Sequence, residues 1–230
     1  MPEILLNEKS FAVCVKPVGV SSEDDGTENC MPYILAEALG TDRKSIYTVH
    51  RLDSDVGGVM VYAKNEICAK KLSALVAERR LEKEYLAVIH GRTDKENDTL
   101  RDLLFRDSAR NKSYVTDKMR KGVKEAVLEY TLCGTKESAD FGEISLVRIK
   151  LRTGRTHQIR VQFSSRKNVL VGDRRYGGAR DGCDIALFSH RLAFVHPFIK
   201  GKKVDICRLP DSAKIPWSDF AEFFSEGKNE

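Results

Sequence analysis

Strand-like runs succeed one another along this chain with few helical stretches between them. That order points to an α+β fold rather than a doubly wound parallel sheet. The alternating run Phe11 to Val15 reads as a strand, ended by turn chemistry at Lys16-Pro17-Val18-Gly19. Val59 to Ala63 is a short apolar strand. Glu84 to His90 returns as another, with Tyr85, Ala87 and Ile89 on one side and Leu86 and Val88 on the other. Ser113 to Thr116, Ala126 to Leu132, Ile144 to Leu151 and Ala186 to Val195 continue the series. The expected helices are short. One covers Pro32 to Leu39 and stops at Gly40; a second follows Asn65, a candidate cap, with Cys68, Leu72, Leu75 and Val76 on one face. A third runs over roughly His157 to Ser165 behind Thr156, and Ser218 is placed to cap a last one carrying Phe220, Phe223 and Phe224. Thr93 to Lys124 is polar and poorly periodic.

A length of 230 residues suits one large domain or two small ones, with ample material for a core. Hydrophobic residues at 41% and charged residues at 32% are those of an ordinary globular protein. No apolar run reaches the roughly 18 residues of a membrane span, and Met1 to Lys9 lacks the layout of a secretory signal. The expectation is a cytoplasmic protein. None of the six cysteines forms a C-x-x-C pair, which argues against zinc or a redox dithiol and for reduced thiols, several of them core residues. The net charge of +5 is unevenly spread: Arg101 to Arg180 holds 19 Lys/Arg against 9 Asp/Glu, a surplus of +10, so the rest of the chain carries −5. A polyanion-facing region would show such asymmetry, and so would solvated surface.

Two clusters carry candidate chemistry. In His50-Arg51-Leu52-Asp53-Ser54-Asp55-Val56-Gly57-Gly58 a carboxylate follows a cation and precedes two glycines, just ahead of a strand. Such a loop can aim Asp53 into a cleft, with His50 or Arg51 holding it and the glycines admitting another backbone. A salt-bridged surface turn has the same spacing. In Leu151-Arg152-Thr153-Gly154-Arg155-Thr156-His157-Gln158-Ile159-Arg160-Val161 a glycine turn, a helix start and three arginines follow a strand. Exposed amides and arginines there would suit a phosphate or a carboxylate, and a capped helix with solvated arginines is the plainer alternative.

Together the clusters resemble the RluA family of pseudouridine synthases, enzymes that modify ribosomal and transfer RNA. The family's histidine-arginine-leucine-aspartate loop is matched by His50 to Asp53, and its Thr-Gly-Arg-Thr-His-Gln-Ile-Arg-Val stretch by Thr153 to Val161 without a gap. Lys16-Pro17-Val18-Gly19, Lys83-Glu84-Tyr85-Leu86-Ala87, Gly172-Asp173 with Tyr176-Gly177, and His196-Pro197 match further motifs in order. One departure follows Asp53, where Val56-Gly57-Gly58 replaces the usual threonine-serine-glycine. No amino-terminal RNA-binding module is expected ahead of Lys16-Pro17, so the sequence predicts a single catalytic domain over residues 1–230.

The resemblance implies a long, curved, mostly antiparallel mixed sheet with flanking helices and a central active-site cleft. It implies isomerisation of uridine to pseudouridine in structured RNA, ribosomal or transfer, with no DNA or membrane partner. No cofactor and no metal are implied, in keeping with the missing phosphate-binding glycine loop and metal spacing. Asp53 would be the catalytic carboxylate, Tyr85 would stack on the flipped uracil and take part in the late proton transfer, and Arg160 would pair with Asp53 and keep it ionised. Ile159 or Val161 would line the pocket, His50 and Arg51 would fix the loop, and His157 and Gln158 would support the structure. Arg155 joins the expected substrate-binding set, and Thr93 to Lys124 becomes a loop-rich insertion or a mobile RNA-contacting hairpin. The rivals are an RNA-binding or RNA-chaperone protein with the same fold, and a methyltransferase, against which the absent cofactor loop speaks.

Overall fold

The computed structural model describes residues 2–178 and 180–226. The fold is α+β, and the chain divides into two compact units: Met1–Lys83 with Phe188–Arg208, and Glu84–Leu187 with Leu209–Glu230.

In the first unit β1 (Glu3–Asn7), β2 (Phe11–Lys16), β3 (Tyr47–Thr48) and β4 (Gly57–Ala63) come from the amino-terminal part of the chain. β10 (Leu187–Val195) and β11 (Lys203–Cys207) return to it late. β2 lies antiparallel between β1 and β4, β10 runs parallel to β4, and β11 closes antiparallel on β10. β1 was not foreseen, because Glu3-Ile4-Leu5-Leu6-Asn7 has no alternation to read. Helix α1 (Met31–Leu39) ends as expected at Gly40, and α2 (Glu66–Ala77) is capped by Asn65, whose Oδ1 accepts the Cys68 N–H at 2.9 Å. Cys68, Leu72 and Leu75 of α2 pack on Phe11, Val13, Val59, Val61, Leu192 and Phe194, one side of the sheet. Ala12, Cys14, Met60 and Tyr62, which point to the other side by strand alternation, are wholly buried too. Both faces are therefore covered, and burial of these side chains is the main stabilising contribution. At Gly58, where β4 meets β10, a Cβ would lie 2.4 Å from the Ser189 carbonyl oxygen, and φ is +127°. Only glycine lets the two backbones approach there.

In the second unit β5 (Glu82–His90), β9 (Gly142–Leu151), β8 (Val123–Ser138), β6 (Asn97–Asp107) and β7 (Lys112–Thr116) are neighbours in that order, all antiparallel. The polar stretch 93–124 is thus no loop-rich insertion: β6 pairs with β8 along nine residues and turns back as β7. Its period was illegible because Leu100 and Leu104 are the residues of β6 that are buried. Helix α3 (Gln158–Ser164) begins one residue later than expected, and His157, not Thr156, occupies the cap position with φ +53°. Thr156 is tied instead through its carbonyl, which accepts the Ser113 hydroxyl at 2.7 Å. Ser218 does not cap a helix either. The Ser218 N–H already donates to Lys214 at 2.9 Å, so the chain turns earlier, through a 3-10 turn at Trp217–Phe220 into α4 (Ala221–Glu226).

Among the described residues no group of His, Cys, Asp or Glu is placed to hold a metal ion, and no helix is long and apolar enough to cross a membrane.

Candidate active site

Asp53 lies, half-buried, on the irregular segment between β3 and β4. The backbone on either side of it is pinned. Before it, the Ser22 hydroxyl donates to the Leu52 carbonyl at 2.8 Å and accepts the Leu52 N–H at 3.1 Å. After it, the Ser54 carbonyl accepts the Gly19 N–H at 2.9 Å and the Lys16 ammonium at 3.0 Å. The Val56 N–H closes the turn on the Asp53 carbonyl at 3.0 Å. Lys16 is wholly buried and spends its other donors on the carbonyls of Pro17 at 2.8 Å and Val20 at 2.7 Å. Burial pushes its pKa down to about 8, against the pull of the Asp53 and Asp55 carboxylates. The chain thus buries one ammonium beneath the turn that presents Asp53, and three backbone carbonyls, those of Pro17, Val20 and Ser54, define its place.

His50 is buried, and its Nε2 accepts the Val61 N–H at 3.1 Å, which places the ring proton on Nδ1. Burial, with the Lys83 ammonium adding to it, holds the imidazole well below its ordinary pKa, so His50 is neutral. Its Nδ1 has no hydrogen-bond partner among the described residues. Lys83 is itself pushed down to about 8 by burial. Arg51 points outward and is ion-paired with Glu23. His50 thus ties the segment before Asp53 to β4, whereas Arg51 is an exposed cation held by an exposed carboxylate.

In the second unit Tyr85 is 5% exposed on β5, opposite Ile149 of β9. The Thr153 to Val161 run folds on its own side chains. Gln158 Oε1 accepts the Arg155 N–H at 3.0 Å and the Thr153 hydroxyl at 2.8 Å, and the Thr153 oxygen accepts the Val127 N–H at 2.8 Å. Every residue of α3 from Gln158 to Phe163 is buried. Arg160 is 2% exposed and meets the fully buried Asp173 on two edges, Nε to Oδ2 at 2.8 Å and Nη2 to Oδ1 at 2.7 Å. Its guanidinium also stands 5.5 Å from the centre of the Tyr176 ring. Tyr176 in turn bonds His157 Nδ1 at 3.1 Å, and its oxygen accepts the Ser113 N–H at 2.8 Å. Val161 packs with Leu104, Ala126 and Tyr176, and Ile159, two residues before it, is buried.

A carboxylate of the chain itself, Asp173, thus meets this arginine-rich stretch at Arg160. Arg152 pairs with Glu129 at 2.7 Å and the Arg155 Nε donates to the Glu125 carbonyl at 2.9 Å, so neither is a loose surface cation. Asp173, Tyr176, Lys16 and Ser22 are the contributors whose roles the sequence did not reveal. The turn 172–178 wraps Asp173, whose carbonyl accepts the N–H groups of Tyr176, Gly177 and Gly178. Gly172 is required there, with φ +76° and the Asp184 carbonyl oxygen 2.2 Å from where a Cβ would stand. A signal for Lys16 did exist: a lysine continuing a strand that is otherwise apolar.

Residues 10–165, which span both clusters, match the family model for RNA pseudouridylate synthase. The chain belongs to that family. A protein of Aquifex aeolicus named as an uncharacterized RNA pseudouridine synthase is 32% identical over 214 residues, covering 84% of this chain and 65% of its own length. Ribosomal large subunit pseudouridine synthase D of Zymomonas mobilis is 30% identical over 234 residues, covering 93% of this chain and 71% of its own. The chain thus spans about two thirds of the length of these curated relatives. The human RNA pseudouridylate synthase domain containing 1 protein shares the fold, with TM-score 0.77, 22% identity and coverage of 92% of this chain and 84% of that one. The human domain containing 4 protein does so with TM-score 0.72 and 20% identity, over 91% and 89% of the two chains.

The two anchored elements share a physical feature. The Lys16-braced turn presents a carboxylate of fixed backbone, and the α3 network presents a guanidinium of fixed orientation. In each, a charged group is held in place before any ligand arrives.

Proposed function

We propose that this chain converts uridine to pseudouridine in structured RNA, with Asp53 as the essential carboxylate. The bond from ribose C1′ to N1 breaks, the base turns, and a bond from C1′ to C5 forms. The C5 proton leaves and N1 regains one, so the reaction is redox-neutral and needs no co-reactant. Asp53 serves as nucleophile or base beside the ribose. Tyr85 stacks on the extruded uracil, and Arg160 supplies positive charge to the same reaction. The observation that carries this reading is the double pinning of the backbone around Asp53 by Ser22 and Lys16, costly architecture for a mere surface turn.

Extruding the base costs a few kcal/mol, least in loops and bulges. The exposed turn between β7 and β8, with Lys118, Arg120 and Lys121, offers cations to the flanking phosphates. Large-subunit ribosomal RNA is the substrate to test first, because relatives about 30% identical carry that name. Release of tritium from C5-labelled uridine in an unmodified transcript measures turnover. Asp53→Asn is expected to leave less than about 1% of wild-type turnover, a loss of at least two decades typical for removal of the essential group, with RNA binding kept because phosphate contacts supply the affinity. Asp55→Asn should retain substantial activity. Sustained turnover by Asp53→Asn, with deamidation excluded by mass spectrometry, would remove Asp53 from the chemistry. Turnover on a transfer RNA transcript alone would move the substrate assignment.

A further inference from the structure

The turn joining β10 to β11, residues 196–202, presents an apolar tip that the proposed catalysis does not use. Phe198 and Ile199 are 46% and 48% exposed. Scattered exposed apolar side chains are common, but this tip is built to stay where it is. His196 is buried, and its Nδ1 accepts the N–H groups of both Phe198 and Ile199 at 3.1 Å. The His196 N–H donates to the Lys202 carbonyl at 2.8 Å and closes the turn. The imidazole stands edge-on between the fully buried Phe11, at 5.3 Å, and Phe198, at 6.4 Å. From α2, Lys71 donates to the Pro197 carbonyl at 3.1 Å and lies 4.9 Å over the Phe198 ring. The core thus reaches through one histidine to hold an exposed aromatic ring in place.

The charge around the tip is positive. Lys202 is paired with Glu8 at 2.9 Å and Lys203 with Asp205 at 3.2 Å, while Lys71 and Lys200 have no acidic partner among the described residues. We propose that this turn is a second RNA contact, in which Phe198 and Ile199 receive an unpaired base and Lys71 and Lys200 receive neighbouring phosphates. The proposal rests on the reading of the chain as an enzyme acting on RNA. A stable protein partner would need roughly 1,000 Å² of interface, far more than two side chains provide, whereas one aromatic face suffices for one base. Because the ring is already fixed, stacking on it forfeits little conformational entropy. Uncompensated lysines suit a polyanion better than an apolar surface.

The test uses the whole chain, with unmodified large-subunit ribosomal RNA transcript and a short oligouridylate as probes. Phe198→Ala combined with Ile199→Ser is expected to weaken transcript binding about tenfold, with kcat at saturation and Tm unchanged. Lys200→Ala should reduce the slope of log affinity against log salt by about one. In Phe198→Trp the new indole should be quenched on addition of either RNA. Unchanged affinity in the double variant together with an unquenched indole at saturating RNA overturns the proposal, as does a wild-type dimer that the double variant splits at equal RNA affinity. Tritium release separates the two readings. Full turnover with a silent tip removes this contact alone, and Phe198-dependent binding without turnover removes the catalytic reading alone.

Discussion

Around Asp53, in the first unit, the chain has no regular structure and is gripped by its backbone, through Ser22 on one side and Lys16 on the other. Around Arg160, in the second, the chain is a buried helix, and the functional group itself is gripped, two nitrogens against two oxygens of Asp173. The first arrangement fixes where a short side chain starts, which for aspartate, with two torsions, is nearly enough to fix where it ends. A long arginine needs its terminus fixed, since its stem alone would leave it many rotamers and an entropy loss to meet on binding. On the proposed reading, the two regions therefore differ in how directly damage to an anchor reaches the chemistry.

Asp173→Asn is the sharper break and should have the larger effect. Asparagine keeps the volume and an acceptor for the turn, but removes the charge that faces Arg160. Loss of one member of a buried ion pair should lower stability by about 3 kcal/mol. Misplacement of the guanidinium should reduce kcat by about 100-fold. Chemical denaturation and single-turnover tritium release would measure the two. A stable Asp173→Asn protein with wild-type kcat would show that Arg160 is oriented by other contacts.

The sequence showed the Asp53 loop and the Thr153 to Val161 run plainly, because both are contiguous, and contiguous motifs can be matched residue by residue. Most strands were legible from alternation, and α2 from its capping asparagine and apolar face. What escaped were partnerships between segments far apart in the chain. Lys16 and Ser54 are 38 residues apart, Ser22 and Leu52 are 30 apart, and Ser113 and Tyr176 are 63 apart. The start of α3 escaped for a related reason: Thr156 has the side chain of a cap, yet a distant serine claims its carbonyl and His157 takes the left-handed turn. Strand β6 was lost because so little of it is buried.

Lys16→Met tests the indirect anchor and should have the intermediate effect. Methionine fills the same channel but leaves the carbonyls of Pro17, Val20 and Ser54 without their shared donor. Stranding buried acceptors should cost about 2 kcal/mol, part of it offset because a desolvated charge has gone. The loop should loosen and kcat fall about tenfold, less than for Asp173→Asn because Ser22 still holds the other side. A loss in Lys16→Met as large as that in Asp173→Asn, at equal thermal stability, would mean that Lys16 acts on Asp53 directly and that the contrast between the two anchors is false.

The smallest effect lies in the pH dependence, and it separates the ammonium from the bulk of the side chain. Burial holds folded Lys16 at about 8, below the roughly 10.4 of a lysine in an unfolded chain. Between those values the folded protein has shed the proton while the unfolded chain still carries it. The unfolded state binds more protons there, so the contribution of Lys16 to stability rises with pH across that window. Below about 8 both states are protonated and the group adds no slope. Lys83 shifts in the same direction but is present in both proteins, so it cancels in a comparison. Urea titrations at about pH 7 and about pH 9.5 should show wild-type stability gaining on Lys16→Met by on the order of 1 kcal/mol. Turnover should move the other way over the same rise, because a neutral amine retains two N–H donors for three carbonyls and the Asp53 turn loses one tie. A stability difference that stays flat with pH would place the folded ammonium at an ordinary lysine value, and the restraint on the Asp53 loop would then not titrate.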